Sequence, residues 1–246
     1  MPALSPDLDI ETPRRAMAET TRCQVEGVLD ADSLAAARAA VEAVPRWTLV
    51  TKLNGRHYDL ESAAMAAQPA DKRAEFERHV AAEAQRGFAY LYDSYSLYDK
   101  WHNGTLRDEA PALCDLYEMI NSDVFLEPMR RILDAPEIAF ADAQLTRYTR
   151  GHFLTTHDDG VEGKNRVAAY VLTLSERWGK AWGGLLEFYG PDGSVETSFV
   201  PRGNTLSMFR VPQPHAVTRV GDKVKAARVS ITGWLRTGED PGPGGS

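Results

Sequence analysis

Apolar residues in the first half of the chain recur mainly at the three- and four-residue spacing of amphipathic helices. One such segment begins after Asp30 or Asp32, either of which is a suitable N-cap, and ends near Pro45. A second helix is predicted over 71–85, and one or two more over 109–133, where Pro128 is expected to disturb the second. The other predicted segments are a strand at 47–51, an irregular and mobile loop at 53–70, and an aromatic extended segment at 88–95.

The pattern changes after Pro136, where the segments become short, alternating, and rich in β-branched and aromatic residues. Turn signals built on glycine, Asp-Gly or Pro-x-Gly separate them, which is typical of the strands of a sandwich or jelly roll. We therefore predict an α+β fold in which a jelly-roll core, a double-stranded β-helix, is supported by mainly N-terminal helices. The predicted strands are 138–149, 152–157, 166–174, 185–189, 196–200, 204–210, 215–220 and 226–235.

This organisation predicts a single domain over residues 19–238. Helical support is expected from 19–135 and the jelly-roll core from 136–238. Residues 1–18 contain three prolines and no clear periodicity, so we expect a flexible N-terminus. The glycine- and proline-rich residues 239–246 are expected to form a disordered tail.

Composition narrows the class of protein and its location. The formal net charge of -7 disfavours broad binding to nucleic acid or to anionic membranes. The two cysteines, Cys23 and Cys114, are far apart, which disfavours a disulfide framework or a structural zinc site and fits a reducing compartment. The N-terminus does not resemble a secretory signal, and no apolar run approaches the length that spans a bilayer. A cytoplasmic location is therefore expected, and the oligomeric state stays open.

The candidate chemistry begins in the segment that ends in His157-Asp158-Asp159-Gly160. The two-residue period of a strand places His157 and Asp159 on the same face, and Asp158 on the other. A third candidate metal ligand is His215, on a late strand that a jelly roll could bring beside the first. His152 is separated from His157 by an odd number of residues, so it should face away.

Two histidines and one carboxylate on one side of a metal form the facial triad of non-haem Fe(II) oxygenases. Three protein ligands leave coordination positions open for a bidentate 2-oxo acid and for O2, whereas four ligands would make a closed, structural site. The predicted cofactors are therefore Fe(II), 2-oxoglutarate as co-substrate, and O2, and the predicted metal ligands are His157, Asp159 and His215.

The distal carboxylate of 2-oxoglutarate needs a cation, and Arg228 lies on the strand after His215. Its guanidinium can hold a carboxylate through two parallel hydrogen bonds. Ser230 faces the same side two residues later, and Tyr148 precedes the metal ligands with a phenolic hydroxyl. Thr173, from an adjacent strand, completes the candidate cofactor-binding set.

Each residue also has a simpler interpretation. His157 and Asp159 could form a surface pair in a turn, His215 could be a loop histidine beside Pro214, and Arg228 could belong to a surface ion pair. The order HxD, then a distant His, then RxS within a β-rich half favours the metal site over these alternatives. A non-catalytic, cupin-like metal-binding protein is the rival from another class, and a zinc hydrolase is disfavoured because no HExxH helix supplies a general base.

With these residues in place, the segment from about 138 to 236 resembles the Fe(II)/2-oxoglutarate oxygenases of the prolyl-hydroxylase type. The resemblance is greatest to the hydroxylases that modify a proline of a ribosomal protein, and more distant to the hypoxia-factor prolyl hydroxylases. The shared stretches are Tyr148, His157 to Asp159, Arg166 to Leu174, Trp182 to Phe188, Asn204 to Phe209, His215 to Val217, and Arg228 to Trp234.

The resemblance implies that His157, Asp159 and His215 hold iron and that Tyr148 and Arg228 bind 2-oxoglutarate. A threonine stands at position 173, where the resemblance leads us to expect a tyrosine. The implied activity is hydroxylation of a substrate C–H bond with release of succinate and CO2. A prolyl residue in a peptide or protein ranks first as the substrate, and a free amino acid or small metabolite is the alternative.

Overall fold

Thirteen antiparallel strands form one continuous sheet that closes almost completely into a barrel, with helices on its outside. This arrangement is described by a computed structural model that covers residues 2–242. The strands are Arg22–Glu26 (β1), Thr48–Leu53 (β2), Arg56–Glu61 (β3), Tyr90–Ser96 (β4), Ile138–Ala141 (β5), Gln144–Tyr148 (β6), Phe153–His157 (β7), Arg166–Thr173 (β8), Leu186–Tyr189 (β9), Val195–Phe199 (β10), Thr205–Arg210 (β11), His215–Val217 (β12) and Arg228–Thr237 (β13).

The helices lie mainly in the first half of the chain, as the apolar periodicity predicts. In α2 the side chain of Asp30 accepts a hydrogen bond from the Ser33 N–H at 2.7 Å, so Asp30 is the N-cap. The helices are Glu11–Thr20 (α1), Ala31–Glu42 (α2), Ser62–Ala66 (α3), Ala70–Ala84 (α4), Leu97–His102 (α5), Thr105–Glu109 (α6), Ala112–Ile120 (α7) and Asp123–Leu133 (α8).

Strand order places the elements that carry candidate site residues side by side. The path through the sheet is β1-β11-β8-β13-β6-β4-β7-β12-β9-β10, with β2 and β3 branching from β4 and with β5 on β13. Strand β13 pairs with β6 on one edge and with β8 on the other. Strand β12 pairs with β7 and β9. Strands β12 and β13, near the end of the chain, therefore lie beside strands that come much earlier in the sequence, as expected for a jelly roll.

The main core lies between α7, α8 and the outer face of the sheet. Pro128 lies inside α8 without ending it, although proline removes one helical hydrogen bond. The helix continues because its apolar side chains recur at helical spacing and are almost fully buried against the sheet. These buried side chains are Phe125, Leu126, Met129, Ile132 and Leu133.

The N-terminal half differs from the prediction of helical support over 19–135, because it contributes four strands to the sheet. Strand β1 pairs with β11 and buries Cys23 and Val25 at alternate positions. This alternation is typical of a strand but extends over only five residues. Strand β3 lies within the predicted irregular loop 53–70. Nearly all its side chains are exposed, so it carries no hydrophobic alternation that could have predicted it.

The two predicted flexible ends also differ in part from the structure. Helix α1 occupies residues that were expected to be flexible, and its Met17 is only 2% exposed. Near the other end, the Asp240 carboxylate accepts hydrogen bonds from the Tyr98 hydroxyl and from His102 Nε2, the latter at 3.0 Å. The rest of the predicted tail, 243–246, lies outside the described residues. Across 2–242, none of the helices has the length and apolar character needed to cross a membrane.

Candidate metal centre

Three side chains with metal-binding atoms converge at one end of the barrel. His157 ends β7, His215 begins β12, and the two residues are direct partners in the β7–β12 pairing. His157 Nε2 lies 3.3 Å from Asp159 Oδ1, and His215 Nε2 lies 3.5 Å from Asp159 Oδ2. The three ligand atoms lie within 4.8 Å of one another. This spacing allows a single ion to contact all three residues.

Asp159 reaches the histidines by a route that differs from the predicted strand alternation. The strand stops at His157, and Asp159 has a φ of 61°, in the left-handed region that aspartate tolerates better than most residues. The exposed Asp158 points elsewhere and accepts a hydrogen bond from the Gly160 N–H at 3.0 Å. The turn, rather than the two-residue period, brings the carboxylate back toward the imidazoles.

Backbone carbonyls orient both imidazoles. His157 Nδ1 lies 3.0 Å from the Thr155 carbonyl oxygen, and His215 Nδ1 lies 2.7 Å from that of Gln213. A carbonyl can only accept, so each Nδ1 carries the proton and each Nε2 keeps its lone pair. Both lone pairs are then available on the side of Asp159. Such a hydrogen bond on the far nitrogen is typical of histidines that bind metals.

Burial and mutual electrostatics suit this donor set to a divalent cation. His215 is 4% exposed, and burial, together with the neighbouring His157, lowers its pKa to about 4. Burial acts to raise the pKa of Asp159, but its contacts with His157 and His215 outweigh burial, so the pKa is lower than usual. The site therefore presents a neutral His215 and an ionised carboxylate near neutral pH.

A second layer of contacts holds the turn that carries Asp159. Arg166 Nη1 donates to the Asp159 carbonyl oxygen at 3.0 Å, and its guanidinium lies 3.5 Å from the centre of the Trp234 ring. Neither residue is among the site residues predicted from the sequence. They lie on the neighbouring strands β8 and β13, and only the pairing of these strands reveals that they meet.

A cavity of about 320 Å³ lies beside the three residues inside the barrel. Arg228 lines it, is 2% exposed, and donates from Nη1 to the Gly184 carbonyl oxygen at 2.9 Å. Its Nε is buried and has no hydrogen-bond partner among residues 2–242, and the same holds for Ser230 Oγ. Burial lowers the pKa of Arg228 to about 10, so it remains cationic near neutral pH.

The buried Arg228 at this cavity wall fits the distal carboxylate of a 2-oxo acid. The Tyr148 ring lies 5.2 Å from the Arg228 guanidinium and lines the same cavity. Ser230 is paired directly with Thr173 across β13 and β8, and Thr173 is 1% exposed. Neither Ser230 nor Thr173 lines the cavity. The structure thus brings all four candidate cofactor-binding residues together, with Arg228 and Tyr148 at the cavity wall and the other two beside them.

Aromatic residues at alternate positions before and along β4 form part of the same cavity wall. Tyr92 stacks on Tyr148 with ring centroids 5.1 Å apart, and the Phe88 ring lies 5.4 Å from that of His157. Phe88, Tyr90 and Tyr92 all line the cavity. The sequence predicted an extended aromatic segment here. Their alternate spacing is the signal that they share one face.

The predicted mobile loop 53–70 contains strand β3 and helix α3, and its hairpin contacts a residue that lines the cavity. The Tyr90 hydroxyl lies 2.7 Å from His57 Nδ1, and His57 Nε2 lies 2.8 Å from Asp59 Oδ1. These contacts connect the hairpin to β4.

Residues 143–236 match the sequence model of the 2OG-Fe(II) oxygenase superfamily, and they include the three metal-binding candidates and Arg228. This part of the chain is therefore similar to 2OG-Fe(II) oxygenase domains. This superfamily uses Fe(II), 2-oxoglutarate and O2, as the donor set had indicated.

Curated relatives of the oxygenase domain are prolyl 3-hydroxylases. The chain is 37% identical over 101 residues to prolyl 3-hydroxylase OGFOD1 of Xenopus laevis. The matched region covers 38% of this chain and 19% of that protein. The chain is 29% identical over 112 residues to prolyl 3-hydroxylase sudestada1 of Drosophila melanogaster, covering 40% and 20%. The matched region thus spans about a fifth of the length of these relatives.

Solved structures confirm the predicted double-stranded β-helix over nearly the whole chain. A prolyl-4-hydroxylase from Pseudomonas putida superimposes with a TM-score of 0.57 at 19% identity and covers 94% of this chain and 100% of its own. A prolyl hydroxylase from Trichoplax adhaerens, solved with a hypoxia-inducible-factor peptide, has a TM-score of 0.59 at 16% identity and covers 93% and 89%. At these identities the likeness establishes the fold alone.

Proposed function

We propose that this protein is a 2-oxoglutarate- and Fe(II)-dependent dioxygenase that hydroxylates a prolyl residue of a peptide or protein, with release of succinate and CO2. The observation that carries the proposal is the buried Arg228, which keeps a donor without a partner in a cavity beside His157, Asp159 and His215. A protein that merely binds a metal ion has no need for such a cation. This observation therefore disfavours the cupin-like alternative.

In this proposal His157, Asp159 and His215 hold the iron, and their orientation is set by the carbonyls of Thr155 and Gln213. Bound Fe(II), with 2-oxoglutarate and O2, supplies the oxidation of a C–H bond. Arg228 neutralises and orients the distal carboxylate of the co-substrate, and its Nε donates to that carboxylate.

The remaining candidates act around that carboxylate. Tyr148 forms part of the cavity wall beside the co-substrate. Ser230 and Thr173, which are paired across β13 and β8, support that wall from behind. Because these groups are held by neighbouring strands, they are positioned before any ligand arrives, and the cavity excludes bulk water.

The class of substrate rests on the names of the curated relatives and on the peptide seen with the Trichoplax enzyme. The exposed Phe88 lines the cavity, and the hairpin residue His57 contacts Tyr90 of the same wall, which would leave an exposed edge for a chain segment. A free amino acid or small metabolite is the alternative substrate from the sequence. The cytoplasmic location and the absence of a nucleic-acid or membrane partner also stay predictions.

Two measurements test the proposal. Anaerobic addition of Fe(II) and 2-oxoglutarate should produce a weak visible charge-transfer band, and His157→Ala should not produce it. Incubation with proline-containing peptides in air should give a product that has gained one oxygen atom, detected by mass spectrometry and dependent on both iron and 2-oxoglutarate.

His79→Ala is the matched control, since His79 is an exposed histidine on α4. It should behave as the wild type in both measurements. Equal succinate formation by the wild type and by His157→Ala would contradict the assigned site. A charge-transfer band without any oxidised peptide would support the oxygenase assignment and contradict the proposed peptide substrate.

A further inference from the structure

A second cavity, larger than the one beside the metal-binding residues, lies on the outer face of the sheet rather than inside the barrel. It has a volume of about 890 Å³ and lies between α4 and the strands β2, β4, β6 and β7. Alternation along β4 separates the two sides: Leu91 and Asp93 line the outer cavity, whereas Tyr92 lines the inner one. His157, Asp159 and His215 do not line the outer cavity. It is therefore distinct from the candidate metal centre.

One wall of the outer cavity is apolar. It is formed by the small hydrophobic cluster under α4, in which Val80 is 1% exposed and Leu91 5%. The volume lies in the range of roughly 300–1,000 Å³ found for small-molecule pockets. The wall residues are Leu49, Met65, Phe76, Val80, Leu91 and Phe153. Such a lining removes water from an apolar ligand, which is the main favourable contribution to its binding.

One polar group in this lining has an unmet hydrogen-bonding capacity. Asp93 is 2% exposed, and its Oδ2 accepts from Arg147 Nε at 2.9 Å. Its Oδ1 is buried and finds no hydrogen-bond donor anywhere in the described chain, 2–242. A buried acceptor without a donor is unfavourable, and proteins usually satisfy such groups. A ligand that brings a donor to Asp93 would meet this requirement.

The charges around the cavity argue against a cationic ligand, and the Asp93 carboxylate argues against an anion at its unpaired oxygen. Arg147 already neutralises Asp93, and burial lowers the pKa of His152, which keeps that ring neutral. Cationic side chains outnumber acidic ones in the lining, so a cationic ligand would be repelled. The charged lining residues are Arg73, Arg147, Arg150 and Arg219, with Glu77 and Asp93.

We propose that the outer cavity is a second ligand site, which binds a neutral apolar molecule carrying one hydroxyl or N–H group that donates to Asp93 Oδ1. This site is independent of the iron chemistry and does not require the proposed oxygenase activity. The apolar body of the ligand lies against Leu91 and Phe153, and its single donor sets its orientation.

The test uses two ring systems of nearly equal shape, indole, which has one N–H donor, and benzofuran, which has none. Protein-observed NMR titration of the full chain should show saturable binding of indole. Benzofuran should bind about tenfold more weakly, because it leaves Asp93 Oδ1 without a donor. Equal affinities for the two probes, or no binding of either, would overturn the proposal.

Asp93→Asn tests the polarity of the site. The asparagine oxygen must face Arg147, which can only donate, so the amide NH2 takes the position of Oδ1. The preference for indole over benzofuran should then disappear or reverse. An unchanged preference in a folded Asp93→Asn protein would overturn the role of Asp93.

A pair of substitutions on α4 tests the location and keeps the proposal testable if Asp93→Asn fails to fold. Ala84 lines the cavity, and Ala84→Trp should fill it and abolish the binding of both probes. Ala74 is exposed on the same helix and does not line the cavity, so Ala74→Trp should leave both affinities unchanged. Indole binding that survives Ala84→Trp would place the ligand elsewhere and refute the site.

Discussion

Strand β13 carries a buried arginine near each end, and the two differ in how their charges are balanced. Arg236 is 4% exposed and lies 3.5 Å from the Asp142 carboxylate, and its Nε donates to the Lys164 carbonyl at 2.8 Å. Arg228 is 2% exposed, and across residues 2–242 no carboxylate comes within ion-pair distance of it. The same residue type, equally buried on one strand, thus has an internal counter-ion at one end and none at the other.

The difference marks Arg236 as a structural charge and supports our proposal that Arg228 binds a ligand. Taking a guanidinium out of water is costly unless a partner compensates the charge. Asp142 provides that compensation for Arg236 within the fold. Arg228 is compensated only when an anion enters the cavity beside His157, which is what a 2-oxo acid would do. An unpaired buried charge is therefore a better indicator of a ligand site than burial alone.

The largest effect is expected at the candidate metal centre, which lies beside the Arg228 end of β13. His157→Ala removes one of three candidate metal ligands. Fe(II) affinity should fall by more than about 100-fold, since even the outer partners of a ligand contribute about 10- to 100-fold. Titration of the apo-protein with Fe(II) and the rate of iron-dependent succinate formation measure this. A loss of similar size in His79→Ala would show that the effect is not specific to the site.

Removing the unpaired arginine should separate function from stability. Arg228→Met is expected to weaken 2-oxoglutarate binding by about 30- to 1,000-fold, the usual cost of breaking a buried charge pair. The free energy of unfolding without ligand should not fall, because a buried charge without a counter-ion has been removed. Calorimetry of 2-oxoglutarate binding and denaturant unfolding check the two halves. A large loss of stability with unchanged 2-oxoglutarate binding would show that Arg228 has a structural role instead.

Removing the paired arginine should do the opposite. Arg236→Met leaves the Asp142 carboxylate buried without its cation, so the free energy of unfolding should fall by about 3 kcal/mol at neutral pH. The affinity for 2-oxoglutarate should change by less than about twofold, since Arg236 does not line the inner cavity. The same two assays apply. A loss of 2-oxoglutarate binding in a protein of normal stability would contradict the structural role.

The smallest expected effect is a change in pH dependence. Burial raises the pKa of Asp142 to about 6, above its ordinary value of 3.8, despite the hydrogen bond from the Trp234 N–H and the charge of Arg236. The folded state therefore binds more protons than the unfolded state between these values. This contribution to stability is fully present below about pH 4 and is lost as the pH rises through about 6.

Asp142→Asn should remove this component. The wild-type minus mutant difference in unfolding free energy should decrease by at most about 3 kcal/mol between about pH 4 and about pH 7. Denaturant unfolding at a series of pH values measures it. A difference that stays constant, or that increases with pH, would show that the Asp142 pKa is not raised in the folded state.

The candidate site was largely predictable from the sequence because its chemistry belongs to individual side chains. His157, Asp159, His215 and Arg228 have the donor types that iron and a 2-oxo acid require, and the order of the strands indicated that they could meet. The alternation of apolar residues after Pro136 likewise predicted the jelly roll, because a strand that buries one face must alternate.

Other features arise only from contacts between distant segments. Strand β3 and helix α1 were missed because one exposes nearly all its side chains and the other buries few. The left-handed turn at Asp159 and the contact of Arg166 with Trp234 depend on which strands are neighbours.

The sequence by itself determined which side chains can bind a metal or an anion, because that capacity is a property of each residue. Only the tertiary structure decided which buried charges are compensated, with Arg236 paired and Arg228 not. It also decided that Asp93 lines the outer cavity and that one of its carboxylate oxygens has no hydrogen-bond donor among residues 2–242. The physical reason is that compensation depends on distances between groups far apart in the chain, and the sheet pairing sets those distances.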